Sequence, residues 1–223
     1  MLIKPIATFH SPLKEKFGIP RQANLAPDLE GRIVFEPEFR NADALKGLEG
    51  FDYLWLVWGF SEAEKADEGK PWSPTVRPPR LGGNERMGVF ATRSPFRPNH
   101  LGLSSVRLKG ILPGPEIAVQ GADLMDGTPI YDIKPYIEYA DSHPGVRSGF
   151  VDNTTWKKLD VVFPEACTLA EEDRMAVKQI LSLDPRPRYQ HDPDRIYGLA
   201  YKDYNIKFCV TDDGTVTITG IER

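Results

Sequence analysis

The stretch Phe51-Asp52-Tyr53-Leu54-Trp55-Leu56-Val57-Trp58-Gly59-Phe60 decides the fold of this chain. It is almost entirely apolar and aromatic, and it contains two of the four tryptophans. A short run of this composition predicts a β-strand that is covered on both faces. We therefore expect it to be the central strand of the core.

Further strands are predicted on both sides of this stretch. The apolar patterns place them at residues 2–10, 31–36, 88–92, 103–112, 116–124 and 130–137. Gly and Pro number 19 and 20 without a repeating period, which favours short strands and turns over long helices. Residues 1–142 are therefore predicted to form a mostly β domain, a β-barrel.

The chain changes character after this domain. Residues 143–160 are polar and irregular and predict a linker, and residues 161–223 predict a small α+β domain. Thr168-Leu169-Ala170-Glu171 has the pattern of a capping box and predicts a helix that runs to Leu183, where Asp184-Pro185 stops it. A β-hairpin is predicted at 204–221, with its turn at Asp212-Asp213-Gly214.

Composition excludes several classes of protein. The net charge is −4, so the chain as a whole does not indicate a polyanionic partner. Two cysteines form neither a disulfide framework nor a metal knuckle, and four isolated histidines predict no metal site. The absence of a signal peptide or a long apolar run predicts a cytoplasmic protein without membrane association. A dinucleotide fingerprint, a P-loop, His-Glu-x-x-His and Gly-x-Ser-x-Gly are all missing.

Charge is nevertheless segregated within the sequence. Residues 71–110 contain seven basic residues and one acid, Glu85, which gives this window a charge of +6. The basic residues are Arg77, Arg80, Arg86, Arg93, Arg97, Arg107 and Lys109. Guanidinium groups next to prolines can bind phosphate or carboxylate, so the window favours an anion- or RNA-binding role over a solvated basic loop.

An acidic cluster follows at residues 123–136. On spacing alone, Asp126-Gly127-Thr128-Pro129 is more typical of ordinary turn chemistry than of a binding site. The alternative is that its polar groups bind ribose hydroxyls or an adenine amino group.

Several long runs in this sequence resemble one known family, the TsaA-like (TrmO) tRNA methyltransferases. The runs are residues 14–22, 47–51, 76–84, 88–99, 126–136 and 184–187. The resemblance implies a β-barrel that binds S-adenosylmethionine without a Rossmann sheet, a small C-terminal domain, and a homodimer with the methyl donor near the subunit interface. It also implies methylation of N6 of threonylcarbamoyl-adenosine beside the anticodon, with the tRNA anticodon loop as partner.

The same resemblance implies the positions that bind the donor. They are Pro20, Arg21, Gln22, Phe60, Ser61, Arg93, Leu103, Asp126, Gly127, Thr128 and Pro129. Within this set we expect Arg93 to pair with the donor's carboxylate, while Asp126 and Thr128 bond its adenosine. Ser61 and His100 depart from the family pattern, which has His and Pro at these places in many members.

The other roles follow from the mechanism and the basic window. Arg77, Arg80 and Arg97 are expected to hold tRNA phosphate. Methyl transfer is an in-line displacement, so the enzyme must align the reacting atoms and exclude water. The N6 proton could be taken by Asp132 or Asp141, or it could leave after transfer without a positioned base, so the general base stays unassigned. Two alternatives remain: methylation of a small molecule by the same fold, and an RNA-binding module without catalysis.

Overall fold

Six antiparallel strands close into a barrel in the N-terminal part of the chain. The computed structural model describes residues 2–78, 85–153, 157–186 and 192–223. Its strands are β1 (Ala7–His10), β2 (Glu30–Phe35), β3 (Tyr53–Gly59), β4 (Thr75–Val76), β5 (Met87–Gly88), β6 (Leu101–Leu112), β7 (Glu116–Gln120), β8 (Thr128–Pro135), β9 (Asp160–Val162), β10 (Tyr197–Tyr201), β11 (Tyr204–Val210) and β12 (Thr215–Glu222). The α-helices are α1 (Ser61–Asp67), α2 (Glu138–Asp141) and α3 (Glu171–Ser182).

The barrel has the strand order β1-β2-β7-β6-β3-β8, and β8 pairs with β1 to close it. The strands predicted at 31–36, 51–60, 103–112 and 130–137 are confirmed within two residues at each end. Two are shorter than predicted: β1 begins at Ala7, and β7 ends at Gln120, before Gly121 adopts a left-handed φ of 76°. Alternate residues such as Leu54, Leu56 and Ile130 fill the interior.

The prediction that the central strand is covered on both faces is wrong. Leu54, Leu56 and Trp58 point into the barrel core, whereas Tyr53 on the opposite face is 37% exposed. The reason is that a closed barrel encloses only one face of each strand. The outer face of β3 is thus a partly apolar surface.

The strand predicted at 88–92 is also wrong. Only Met87–Gly88 is extended, in a two-residue ladder with β4, and Val89–Ala91 is a 3-10 turn. The turn closes because the backbone N–H and the hydroxyl of Thr92 both donate to the carbonyl of Val89. These bonds replace the ladder that a longer strand would need.

The C-terminal part is a four-stranded sheet of order β10-β11-β12-β9, in which only the β12–β9 pair is parallel. The buried side of α3 contributes to the same core, and the predicted hairpin β11–β12 is confirmed. The predicted capping box is wrong: α3 begins at Glu171, Ala170 is its N-cap, and no side chain caps it. Thr168 lies two residues before this N-cap, too early to cap the helix, and Leu169 between them is buried in the C-terminal core.

A second core joins distant parts of the chain. It contains the C-terminal sheet and α3, together with Leu13, Ala26 and Leu29 from the segment between β1 and β2. The ring of Phe17 also stacks on Tyr197, with ring centroids 6.5 Å apart. Residues 11–29 therefore leave the barrel, pack on the C-terminal sheet and return.

Candidate active site

The predicted donor-binding residues gather where β3 ends and where β6 and β8 begin. Gly59 pairs with Leu101 of β6, and a Cβ atom on Gly59 would lie 3.1 Å from Pro129 Cγ. Leu103 pairs with Val57 on the outer surface and is 57% exposed. The structure thus places Phe60, Ser61, Leu103 and Pro129 at one end of the barrel.

An aromatic pair forms part of this end. The Phe60 ring lies 4.2 Å from the Trp58 ring, centroid to centroid, at an interplanar angle of 60°. Gly102 makes room for it, because a Cβ atom there would come within 2.3 Å of the Trp58 ring. The backbone N–H of Phe60 donates to the carbonyl of His100 at 2.8 Å.

His100 itself has a local structural role. Its φ is 48°, in the left-handed region, which a proline ring with φ near −65° cannot adopt. Its Nε2 lies 3.2 Å from Asp67 Oδ2 at the end of α1. His100, which replaces the proline that many family members have here, therefore connects α1 to the loop before β6.

The turn 126–129 is held by its own backbone and by the segment after β1. Asp126 Oδ1 accepts from the N–H of Ser11 at 3.0 Å and lies 3.3 Å from His10 Nδ1. The buried Thr128 hydroxyl donates to the carbonyl of Met125 at 2.7 Å. Both side chains that we expect to contact adenosine thus also hold the turn in place.

The residues around position 22 reach the same region from the second core. Pro20 is buried, Arg21 is exposed, and the Gln22 side chain accepts a hydrogen bond from Arg93 Nη1 at 2.5 Å. Asn24 anchors the loop, because its Nδ2 donates to the carbonyl of Ser105 at 3.0 Å. The structure therefore brings together Gln22 and Arg93, which are 71 residues apart.

Asp123, a half-buried residue to which the sequence assigned no separate role, places its carboxyl group next to this loop. Trp58 Nε1 donates to Ser104 Oγ at 3.0 Å, Ser104 Oγ donates to Asp123 Oδ1 at 2.5 Å, and the N–H of Ala23 also donates to Asp123. Burial raises the pKa of Asp123, although these hydrogen bonds and the positive charge of Arg93 oppose the shift. The signal was present in the sequence as the first residue of the acidic cluster, but its partners lie on other strands.

The two candidate bases make other interactions. Asp141 Oδ2 accepts from the N–H of Ile137 at 2.8 Å and from Trp55 Nε1 at 3.0 Å. These bonds lower the pKa of Asp141, with the Ile137 bond as the larger cause. Asp132 Oδ2 lies 2.9 Å from Lys134 Nζ. Both arrangements favour a structural carboxylate over a proton acceptor.

The predicted phosphate-binding arginines differ in their surroundings. Arg77 is exposed, whereas Arg97 Nη1 donates to the carbonyls of Val89 at 3.2 Å and Thr92 at 2.8 Å. Arg80 lies outside the described residues. Arg97 thus orders the turn that precedes Arg93.

Among the described residues, no group of three or more His, Cys, Asp or Glu side chains could hold a metal ion. Within the same ranges, no helix has the length and apolar character needed to cross a membrane.

Comparison with known proteins decides the family. The tRNA-methyltransferase O N-terminal domain matches residues 8–142, and the TrmO C-terminal domain matches residues 157–223. The chain belongs to the tRNA-methyltransferase O family. The family resemblance and the mostly β fold expected from the sequence are thereby confirmed.

Individual TrmO relatives agree over nearly the whole chain. The tRNA (adenine(37)-N6)-methyltransferase of Escherichia coli is 38% identical, covering 94% of this chain and 93% of its own. A Pseudomonas aeruginosa protein that carries the name of an S-adenosylmethionine-dependent methyltransferase is 40% identical, covering 92% of this chain and 90% of its own. A crystal structure of TrmO from Pseudomonas aeruginosa superposes with a TM-score of 0.81 at 32% identity, covering 100% of this chain and 96% of that one. The predicted enzyme class and methyl donor agree with these names.

Proposed function

We propose that this chain transfers the methyl group of S-adenosylmethionine to N6 of threonylcarbamoyl-adenosine beside the anticodon of tRNA. Because it belongs to the tRNA-methyltransferase O family, the chain is an S-adenosylmethionine-dependent tRNA (adenine-N6)-methyltransferase. The finer proposal extends it to the threonylcarbamoyl group. The observation that supports it is the meeting, at one end of the barrel, of the Arg93–Gln22 pair, the Phe60–Trp58 pair and Arg97, whose carbonyl accepts from the N–H of His100 next to Phe60.

The residues at this end fit the chemistry of the donor. The donor carries a carboxylate, which the exposed Arg93 guanidinium can pair with, and a sulfonium cation, which aromatic faces such as Phe60 attract. Pro20, Arg21, Gln22, Ser61, Leu103 and residues 126–129 complete the proposed donor-binding set. In this set Asp126 and Thr128 are proposed to bond the adenosine, and their side chains also hold the turn in place.

Bound S-adenosylmethionine supplies an activated methyl group, so the chain needs only to orient it toward the nucleophile and exclude water. The hydrogen-bonded series from Trp58 through Ser104 to Asp123 and Ala23 fixes the loop that carries Gln22. No positioned base is required, because the proton on N6 can leave to water after transfer. Asp132 and Asp141 accordingly keep the structural roles described above.

The proposal places tRNA on the basic residues. Arg77 is one proposed phosphate contact within the described part of the chain, and Arg80 is a second that lies outside it. Arg97 is proposed to contact phosphate from its remaining guanidinium nitrogens while it orders the turn at 89–92. The anticodon loop would then approach the donor from the side of Arg93.

The proposal also includes a cytoplasmic homodimer. The dimer is supported by the apolar side chains that the outer face of the barrel leaves exposed, above all Leu103. A sedimentation-equilibrium measurement tests this part: a mass of two chains supports it, and the mass of one chain at micromolar concentration contradicts it.

Transfer of radiolabel from S-adenosylmethionine tests the proposed function against its two alternatives. Label in tRNA is the expected result. Label only in small molecules would support a metabolite methyltransferase, and retention of tRNA without any transfer would support an RNA-binding module.

A further inference from the structure

Two aromatic rings stand exposed on the basic part of the chain. Trp72 is 51% exposed and Phe90 is 71% exposed, and their ring centroids are 5.9 Å apart at an interplanar angle of 35°. Neither ring belongs to either hydrophobic core. An exposed pair of this kind offers two flat faces on which a planar group can stack.

The local backbone holds these rings in place. β4 and β5 join the two stretches that carry the rings, and the N–H of Val89 donates to the carbonyl of Pro74 at 2.9 Å. Arg97 lies beneath, with its guanidinium carbon 5.8 Å from the centroid of Phe90. The two rings are thus held next to each other by the surrounding structure.

Charge around the pair selects the kind of ligand. The described residues 70–78 and 85–97 contain five basic side chains and one acid, a net charge of +4. The basic side chains are Lys70, Arg77, Arg86, Arg93 and Arg97. Aromatic faces within a positive surface are the arrangement that binds single-stranded nucleic acid, in which bases stack and phosphates meet cations.

The pair is also close to the proposed donor site. Phe90 precedes Arg93 by three residues, so their Cα atoms lie within about 11 Å of each other. We propose that Trp72 and Phe90 form a stacking platform for an unpaired base of the substrate RNA, next to the adenine that is methylated. This inference rests on the proposed function, because it takes an RNA loop as the substrate.

Binding of a labelled anticodon stem-loop by the full-length chain tests the platform. Phe90→Leu and Trp72→Leu keep apolar bulk but remove the aromatic face, so each is expected to weaken binding by about 5- to 150-fold. Phe90→Tyr keeps the face and should bind like the parent. Tyr139→Leu removes an even more exposed ring, 92% accessible, from α2 and serves as the control for loss of a surface aromatic side chain.

Two further readouts separate stacking from other effects. The salt dependence of binding should be unchanged in Phe90→Leu, because no phosphate contact is lost. A 2-aminopurine base placed beside the target adenine should be quenched less by Phe90→Leu than by the parent when both are saturated with RNA, because only the Trp72 face remains to stack on it.

Parental RNA affinity in both leucine variants, with methylation intact, would overturn the platform and leave the proposed function standing. A change of oligomeric mass in these variants would overturn it in favour of a contact between two copies of the chain. A parent protein that neither binds nor methylates RNA would overturn the proposed function, and the platform with it.

Discussion

Residues 11–29 and residues 70–97 both contribute to the candidate site, but the fold holds them in different ways. The first segment places Leu13, Ala26 and Leu29 in the C-terminal core. It is also tied to α3, where the N–H of Asp28 donates to Gln179 Oε1 at 2.9 Å. The second segment, in its described part, contributes no residue to either core and is held by the β4–β5 ladder and by Arg97.

The contrast matches what each segment is proposed to bind. A small donor with fixed charges needs groups held in one arrangement, which packing into a core provides. A long flexible RNA needs charge and stacking surfaces, which exposed side chains provide. The C-terminal domain accordingly acts on the barrel by holding the segment that carries Gln22.

Leu13→Ala should produce the largest effect. Leu13 is fully buried, and truncation of such a leucine costs about 2–5 kcal/mol in the free energy of unfolding. Urea denaturation measures this cost, and donor binding should weaken with it. Arg77→Ala, an exposed change in the other segment, should stay within about 0.5 kcal/mol of the parent. If the two variants unfold with equal free energies, the two segments do not differ in how firmly the fold holds them.

Arg93→Ala should have the next largest effect, on donor binding. Loss of a charge-assisted hydrogen bond to a carboxylate costs about 1.5–3 kcal/mol, which corresponds to roughly 10- to 150-fold in affinity. Calorimetry with S-adenosylmethionine or its demethylated product measures it. Arg86→Ala is the control, since Arg86 Nε donates to Thr75 Oγ1 and is not proposed to touch the donor. Unchanged affinity in Arg93→Ala would remove Arg93 from the site.

Asp123→Asn should change the pH dependence of stability. Because the pKa of Asp123 is raised in the folded chain, the folded state holds its proton more tightly, and the parent loses stability as pH rises from about 3.8 through the folded pKa. Asparagine can still accept from Ser104 and Ala23 but does not titrate. As pH rises, the variant should therefore become more stable relative to the parent in unfolding free energy. A difference that does not change with pH would show that Asp123 does not contribute to the pH dependence of stability.

Arg77→Ala should have the smallest effect, and only on RNA. Loss of one phosphate contact lowers the slope of log affinity against log salt by roughly one unit, while donor binding stays the same. Binding titrations at several salt concentrations measure the slope. A parental slope would place the phosphate contact elsewhere.

The barrel was predictable because its strands carry their own signals. The apolar stretch around Trp55 and the turns after Leu112 and before Ile130 define strands without reference to the rest of the chain. Short elements were not predictable: α1 buries only Ala63, and β9 has only three residues. The strand predicted at 88–92 failed because hydrogen bonds from Thr92 and Arg97, which a hydropathy pattern does not encode, close a turn there.

The candidate site was predictable only as a set of residues. The family resemblance supplied Gln22 and Arg93, but their contact depends on how residues 11–29 pack against a sheet whose first strand in the chain begins only at Asp160. The role of Asp123 could not be read either, because it depends on Ser104 and Trp58, which are brought to it by the barrel. Periodicity within one segment carries no such information.

The central claim is tested most directly by methylation of purified tRNA with and without the threonylcarbamoyl group, followed by mass spectrometry of the nucleosides. The account predicts one added methyl group on threonylcarbamoyl-adenosine, much less of that product in Arg93→Ala at limiting S-adenosylmethionine, and no product on tRNA that lacks the group. Methylation of tRNA regardless of the threonylcarbamoyl group, or of no tRNA at all, would contradict it.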